Sequence, residues 1–178
     1  QKVNSRFFKQ KNGFTLIELI MTIAILAILT ILALPYFHEI MAKQETIKTT
    51  NKLISSIQLA KSQASLQHNN VVICPSQDKL NCQVNHWNSG FIIFLDSNKN
   101  RQVDANEQII LAESTDLKYG NLNWRGTLSI PSLTFQAANG LPIGSNGSFY
   151  YCSIAQQTAY KIILSHMGNV RIEKPLTC

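Results

Sequence analysis

The hydrophobic and polar positions divide this 178-residue chain into three stretches. From Phe14 to Leu34 it is apolar, with a single charge at Glu18. These 21 residues, at about 1.5 Å of helical rise each, just cross a hydrocarbon core of about 30 Å. From Tyr36 to Gln67 the pattern becomes amphipathic. Ile40, Ile47 and Ile54 recur every seven residues, and Leu53, Ile57, Ala60 and Ala64 follow at helical spacing, with Lys43, Lys48, Lys52 and Lys61 between them. This stripe predicts a helix packed on a sheet. "HNN" at 68–70 ends it, and Pro35 predicts a kink just past the apolar run.

The third stretch is rich in β-branched and aromatic residues, broken by Gly, Asn, Ser and Pro. Strands are predicted at 71–74, 90–95, 108–113, 133–137, 148–154, 159–165 and 169–174, with a loop at 137–147. A long helix followed by antiparallel strands gives an α+β fold. In strict alternation Arg171 and Glu173 share one face of the last strand, and Lys174 points the other way.

Charge sharpens this picture. Sixteen Lys and Arg face ten Asp and Glu, a formal net charge of +6. Four of the sixteen (Lys2, Arg6, Lys9, Lys11) precede Gly13; the remaining twelve face ten acids, a balance of +2. The basic pI therefore belongs mostly to the N-terminal segment, which places that end in the cytoplasm and the rest across the membrane. An ordinary secretory signal does not fit, because its apolar stretch is about 7–15 residues with a small-residue cleavage site, whereas Pro-Tyr-Phe follows here. After residue 116, Lys118, Arg125, Lys161, Arg171 and Lys174 face Glu173 alone. Such an asymmetry can mark a surface for an acidic polymer; scattered charge that keeps a domain soluble is the plainer reading.

Cys74, Cys82, Cys152 and Cys178 allow three pairings in an exported domain. The close spacing of Cys74 and Cys82 suggests a local loop, and Cys152 would then pin Cys178. No CxxC occurs, and His38, His68, His86 and His166 lack ligand spacing, so no metal is expected. "DSNKNRQVDANE" at 96–107 tests as a calcium loop: Asp96, Asn98, Asn100, Asp104 and Glu107 stand at positions one, three, five, nine and twelve, and Val103 fills the apolar position eight. Arg101 replaces the glycine of position six, and the flanks read as strands. A polar hairpin loop with Asx turns is the better reading. No nucleophile motif, P-loop or dinucleotide fingerprint is present, so neither an enzyme nor a cofactor is expected.

The basic N-terminal segment, Gly13, Phe14 and "FTLIEL" together resemble the processing signal of type IV pilins and type II secretion pseudopilins. The resemblance implies a leader at 1–13, cleavage between Gly13 and Phe14 by a prepilin peptidase, and N-methylation of Phe14. It implies that Glu18 pairs with the N-terminal amine of a neighbouring subunit, so that the helix at 14–35 is an inner-membrane anchor before assembly and a filament core afterwards. The rest divides into an amphipathic helix at 36–68 and a β domain at 69–178. The F-x-D-x-N-like run after Trp87 and Gly90, and "GNVR" at 168–171, resemble the GspH/FimT branch, which implies two sheets behind the helix. In FimT-type minor pilins the basic C-terminal region holds DNA for uptake in transformation. Gly168 and Arg171 match that branch's G-R-x-R-like turn, while Asn169 replaces its first arginine. The DNA contacts expected are Arg171, Lys174, Lys161, Arg125 and Lys118, resting on charge without base reading. Other pilins, the peptidase, the inner membrane and DNA are the partners implied. The alternative is a pseudopilin of a type II secretion system that binds no DNA; an aromatic patch around Trp87 and Trp124 would suit it, though core burial fits both rings.

Overall fold

The computed structural model describes residues 14–154 and 159–177; the leader, Gly13 and Cys178 lie outside the described residues. The chain forms two compact units, Gln1–His38 and Glu39–Cys178. Helix α1 (Leu16–Gln67) contributes to each.

In the first unit Thr15 caps the helix: its Oγ1 accepts the Glu18 N–H at a long 3.4 Å. Thr-x-x-Glu is the capping-box spacing, and the helix N-terminus favours an acid in the first turn. The hydroxyls of Thr22 and Thr30 donate to the carbonyls of Leu19 and Ala27, each at 2.8 Å. They are thereby satisfied within the helix, as an apolar environment requires. Every described side chain from Phe14 to Leu34 is exposed. An apolar surface of this extent is one that a soluble monomer does not leave bare. Among the described residues no single helix is long and apolar enough to cross a membrane; Leu16–Ile31 and Tyr36–Gln67 pass that test only together. The side chain of Pro35, where a kink is expected, lies outside those described.

The second unit holds the core. The buried face of α1 is Ala42, Thr46, Thr49, Leu53, Ile57, Ala60 and Ala64. This corrects the heptad of isoleucines: Ile40 and Ile47 are 41% and 44% exposed, and Ile54 is half-buried. The rest of the predicted stripe, Leu53, Ile57, Ala60 and Ala64, is buried as expected, while small residues fill its base and leave Ile47 and Ile54 one position off it. His68 ends the helix at φ +50.

Eight strands follow: β1 (Asn70–Pro75), β2 (Gly90–Asp96), β3 (Ile109–Ser114), β4 (Gly120–Gly126), β5 (Leu133–Phe135), β6 (Gly147–Ser153), β7 (Ala159–Leu164) and β8 (Val170–Glu173). They form two antiparallel sheets, ordered β3-β2-β1-β5 and β4-β6-β7-β8. The fold is thus α+β with two sheets, as the sequence predicts, with β4 in addition. One core unites the α1 stripe, Val71, Ile73, Phe91, Ile93, Leu133 and Phe135 of the first sheet, and Leu122, Phe149, Tyr151, Ile162 and Leu164 of the second. A second cluster (Val72, Cys74, Ile92, Phe94) lies on the other face of the first sheet, covered by Cys82, Val103 and Ile109.

Cys82 and Val103 come from two loops, and Ile109 from β3. In the first, the Cys74–Cys82 disulfide closes a loop organised around Asp78, whose Oδ1 accepts the N–H groups of Leu80 and Asn81 at 2.9 Å and the Ser76 hydroxyl at 3.0 Å. In the second, residues 96–107, the carboxylates accept backbone donors. Asp96 takes the N–H of Asn100 at 3.0 Å and of Arg101 at 3.1 Å; Glu107 takes those of Ser97 at 2.8 Å and Asp104 at 3.2 Å. Arg101 makes the turn without glycine, at φ +62. Among the described residues no group of three His, Cys, Asp or Glu could hold a metal ion. The apolar position eight has a packing reason as well, since Val103 seals the second cluster.

Candidate functional site

The second sheet turns one face to the core and, among the described residues, leaves the other bare except at the buried Ala159. In an antiparallel pair, directly opposed residues point to the same side. The bare face carries Asn121, Asn123 and Arg125 of β4, Ser148 and Tyr150 of β6, Lys161 and Ile163 of β7, and Arg171 and Glu173 of β8. The registers Arg125–Ser148, Asn123–Tyr150, Tyr150–Lys161, Ile163–Arg171 and Lys161–Glu173 align them. Period-2 alternation separates the adjacent tyrosines. Tyr151 is buried, and its hydroxyl donates to Glu45 Oε1 of α1 at 2.8 Å. Burial pushes the Tyr151 hydroxyl well above the usual phenol range. Tyr150, one residue earlier, lies half-buried on the bare face.

The Tyr150 ring gathers two of the cations. The Arg125 guanidinium carbon is 4.6 Å from its centroid and the Lys161 Nζ 5.7 Å. Arg171 shares the face but bonds Glu173 at 2.8 Å. Lys174 does point the other way, resting 5.2 Å from the Tyr160 ring, and Tyr160 opposes the core residue Tyr151. Lys118 lies apart in the β3–β4 connection, where its N–H donates to Glu45 Oε2 at 2.8 Å. Of the five cations singled out in the sequence, the fold therefore brings together Arg125, Lys161 and Arg171 and leaves Lys174 and Lys118 outside.

Gly168 has a backbone role. Its φ is +72, in the tight β7–β8 turn where its N–H reaches the Ser165 carbonyl at 2.9 Å, a conformation that favours glycine. Lys61 of α1 donates to the Met167 carbonyl in the same turn at 3.3 Å. The aromatic pair set against this reading lies at the rim of the core. Trp87 is buried and meets Phe149 edge-on at 4.8 Å, while Trp124 is half-buried, 4.6 Å from Phe149, its Nε1 donating to the Ile130 carbonyl. Trp124 and Arg125 border a hollow of about 320 Å³. A larger hollow of about 660 Å³ lies between Met41–Lys52 of α1 and Ser114–Tyr119. Its main charged groups are already engaged: Glu45 on Tyr151 and on the Lys118 and Tyr119 N–H groups, Lys52 on Glu113 and the Ser114 carbonyl. Cys152, the expected partner of Cys178, is disulfide-bonded.

Sequence reasoning missed Glu45 and Tyr150. Glu45 looks like one more polar residue between lysines, and only the fold shows that it meets a buried hydroxyl. Tyr150 carried a signal in the Tyr-Tyr pair, since alternation must send one ring outward.

Comparison with known families starts from the β region. The family model for the type II transport protein GspH matches residues 49–168. The chain belongs to the GspH family. A prokaryotic N-terminal methylation motif matches residues 8–34, the mark of an inner-membrane-anchored, pilin-like subunit. The fold is similar to that of the type IV minor pilin FimU of Pseudomonas aeruginosa, with a TM-score of 0.55 and 18% identity over 76% of this chain and 96% of that one. It is also similar to EpsH, a minor pseudopilin of the type 2 secretion system of Vibrio cholerae, at 0.50 and 10% over 74% and 97%. The search of curated proteins returns no match. The chain is therefore a member of the GspH family with a fold shared by a minor pilin and a minor pseudopilin.

Proposed function

We propose that this GspH-family chain is a minor pilin of a type IV pilus that holds DNA on the bare face of its second sheet. In this reading a prepilin peptidase cuts between Gly13 and Phe14, and Phe14 is N-methylated. The apolar half of α1 anchors the subunit in the inner membrane until assembly carries it into a filament at the cell surface. Glu18, exposed in the first helical turn, then meets the new N-terminal amine of a neighbour. The observation that carries the DNA reading is that three cations share one solvent-facing sheet face on which Glu173 is the only acid among the described residues. Such a face neutralises phosphates and releases counterions without reading bases.

The test is duplex DNA binding by the full chain in non-ionic detergent, titrated against salt. Two or three phosphate contacts give a log–log salt slope of about −2 to −3. Replacing Arg125, Lys161 and Arg171 together by Gln should abolish binding. The second reading, a type II secretion pseudopilin, draws on the GspH family description. It gains if the wild-type chain fails to bind DNA at low salt.

A further inference from the structure

Resting on that DNA reading, we propose that Tyr150 is the positioning residue of the site: it holds Arg125 and Lys161 as a preformed pair for one phosphodiester. The centre of the site is then on β4, β6 and β7, away from the Gly168–Arg171 turn.

Two like charges on the strands that flank β6 repel, and long side chains on a bare sheet face disperse into water unless something gathers them. Tyr150 does so. Its backbone is fixed between β4 and β7, opposite Asn123 on one side and Lys161 on the other. Its ring is half-buried, and its electron-rich π system attracts both cations, at 4.6 Å and 5.7 Å from the centroid. Among the described residues the ion pairs are Lys52–Glu113 and Arg171–Glu173, so neither Arg125 nor Lys161 meets a carboxylate. Both charges remain available to an anion, and less side-chain order is lost when one binds. Arg171 differs in kind, because an arriving phosphate must compete with Glu173 for it.

The site therefore ranks its residues by geometry, where proximity to the C-terminal turn would rank Arg171 first. The Arg125→Gln, Lys161→Gln double variant should lower the salt slope by about 2. Arg171→Gln should change it less. Tyr150→Leu, with every charge retained, should weaken binding about fivefold, and Tyr150→Phe, which keeps the ring, should restore it to within about twofold. Each variant is measured as the full chain in non-ionic detergent, beside its thermal unfolding. If Tyr150→Leu fails to fold, the order of the two charge variants decides. The inference is overturned if Tyr150→Leu binds like wild type, or if Arg171→Gln costs more than the Arg125, Lys161 pair. Wild-type chain that fails to bind at low salt overturns the DNA reading itself; wild-type binding with the wrong order overturns only the role of Tyr150.

Discussion

The two sheets are built from strands of similar length, yet they differ in what their far faces do. In the first sheet β1 and β2 are buried almost throughout, because α1 covers one face and two polar loops cover the other. In the second sheet β6 alternates, core side in and far side out. The sequence mirrors this. "VVIC" and "GFIIFL" are continuous apolar runs, as strands buried on both faces must be, while "SFYYCS" interleaves polar and apolar residues. The loops at 76–83 and 96–107 have no apolar periodicity of their own, but they make this difference by contributing Cys82 and Val103. A face sealed in this way is core, with Val72, Ile92 and Phe94 fully buried. A bare face with gathered cations can serve as a binding surface.

The sharpest way to break that comparison is to treat both far faces alike. Phe94, on the far face of the first sheet, is fully buried. Phe94→Ala should cost about 3–5 kcal/mol, as much as Phe149→Ala between the sheets. Asn123→Ala, on the bare face of the second sheet, should stay within about 0.5 kcal/mol. Urea unfolding of the three variants measures this. A loss under about 1 kcal/mol for Phe94→Ala would mean that the loops lie loosely on the sheet and that its far face is not core.

The disulfide comes next in size. Cys74 and Cys82 are eight residues apart, and a loop of that length restricts the unfolded chain by about 2–3 kcal/mol. Cys74→Ala with Cys82→Ala should lower stability by about that amount. Hydrogen exchange should quicken first at 76–83 and 96–107, because these segments form the cover, and protection of β6 and β7 should hold. Uniform loss of protection across both sheets would show instead that the covering loops open only when the whole unit unfolds.

How much of this was legible depended on whether a pattern had a single cause. The N-terminal signal and the apolar run rest on residue type alone and read directly. Strands β1, β2, β6 and β7 also read directly, since burial dictates their composition. Strand β4 was missed because "GNLNWRG" is poor in strand formers. Its signal was only the alternation of Leu122 and Trp124 with Asn121, Asn123 and Arg125, and packing overrode propensity there. The heptad of isoleucines misled because residue size was weighed above spacing: the spacing through Ala42, Thr46, Thr49 and Leu53 was equally regular, and proximity to the sheet selected the smaller side chains. For the candidate site, alternation separated Lys174 from Arg171, but no sequence pattern brings Arg125 beside Lys161. That requires the β4–β6–β7 register, which is a tertiary fact.

The smallest effect concerns acid, and it separates the two covering loops from each other. Asp78 and Asp96 each accept two backbone N–H groups, yet they are shifted in opposite directions. The Asn81 N–H, with that of Leu80 and further side-chain donors, holds the Asp78 carboxyl well below the usual carboxylate range. Burial pushes Asp96 up, against the N–H groups of Arg101 and Asn100. For Asp78 the unfolded chain binds the proton more readily, so its contribution is fully present above the ordinary value of about 3.9 and is lost as pH falls below it. For Asp96 the folded chain binds the proton more readily, so stability declines as pH rises from about 3.9 through its folded pKa and is level above that. Asp78→Asn should therefore flatten the urea midpoint against pH below about 4, and Asp96→Asn should flatten it above about 4. If Asp78→Asn leaves the acid limb unchanged, the disulfide loop is held by its covalent bond and not by this carboxylate. If Asp96→Asn steepens the upper limb, burial is not what governs the hairpin loop.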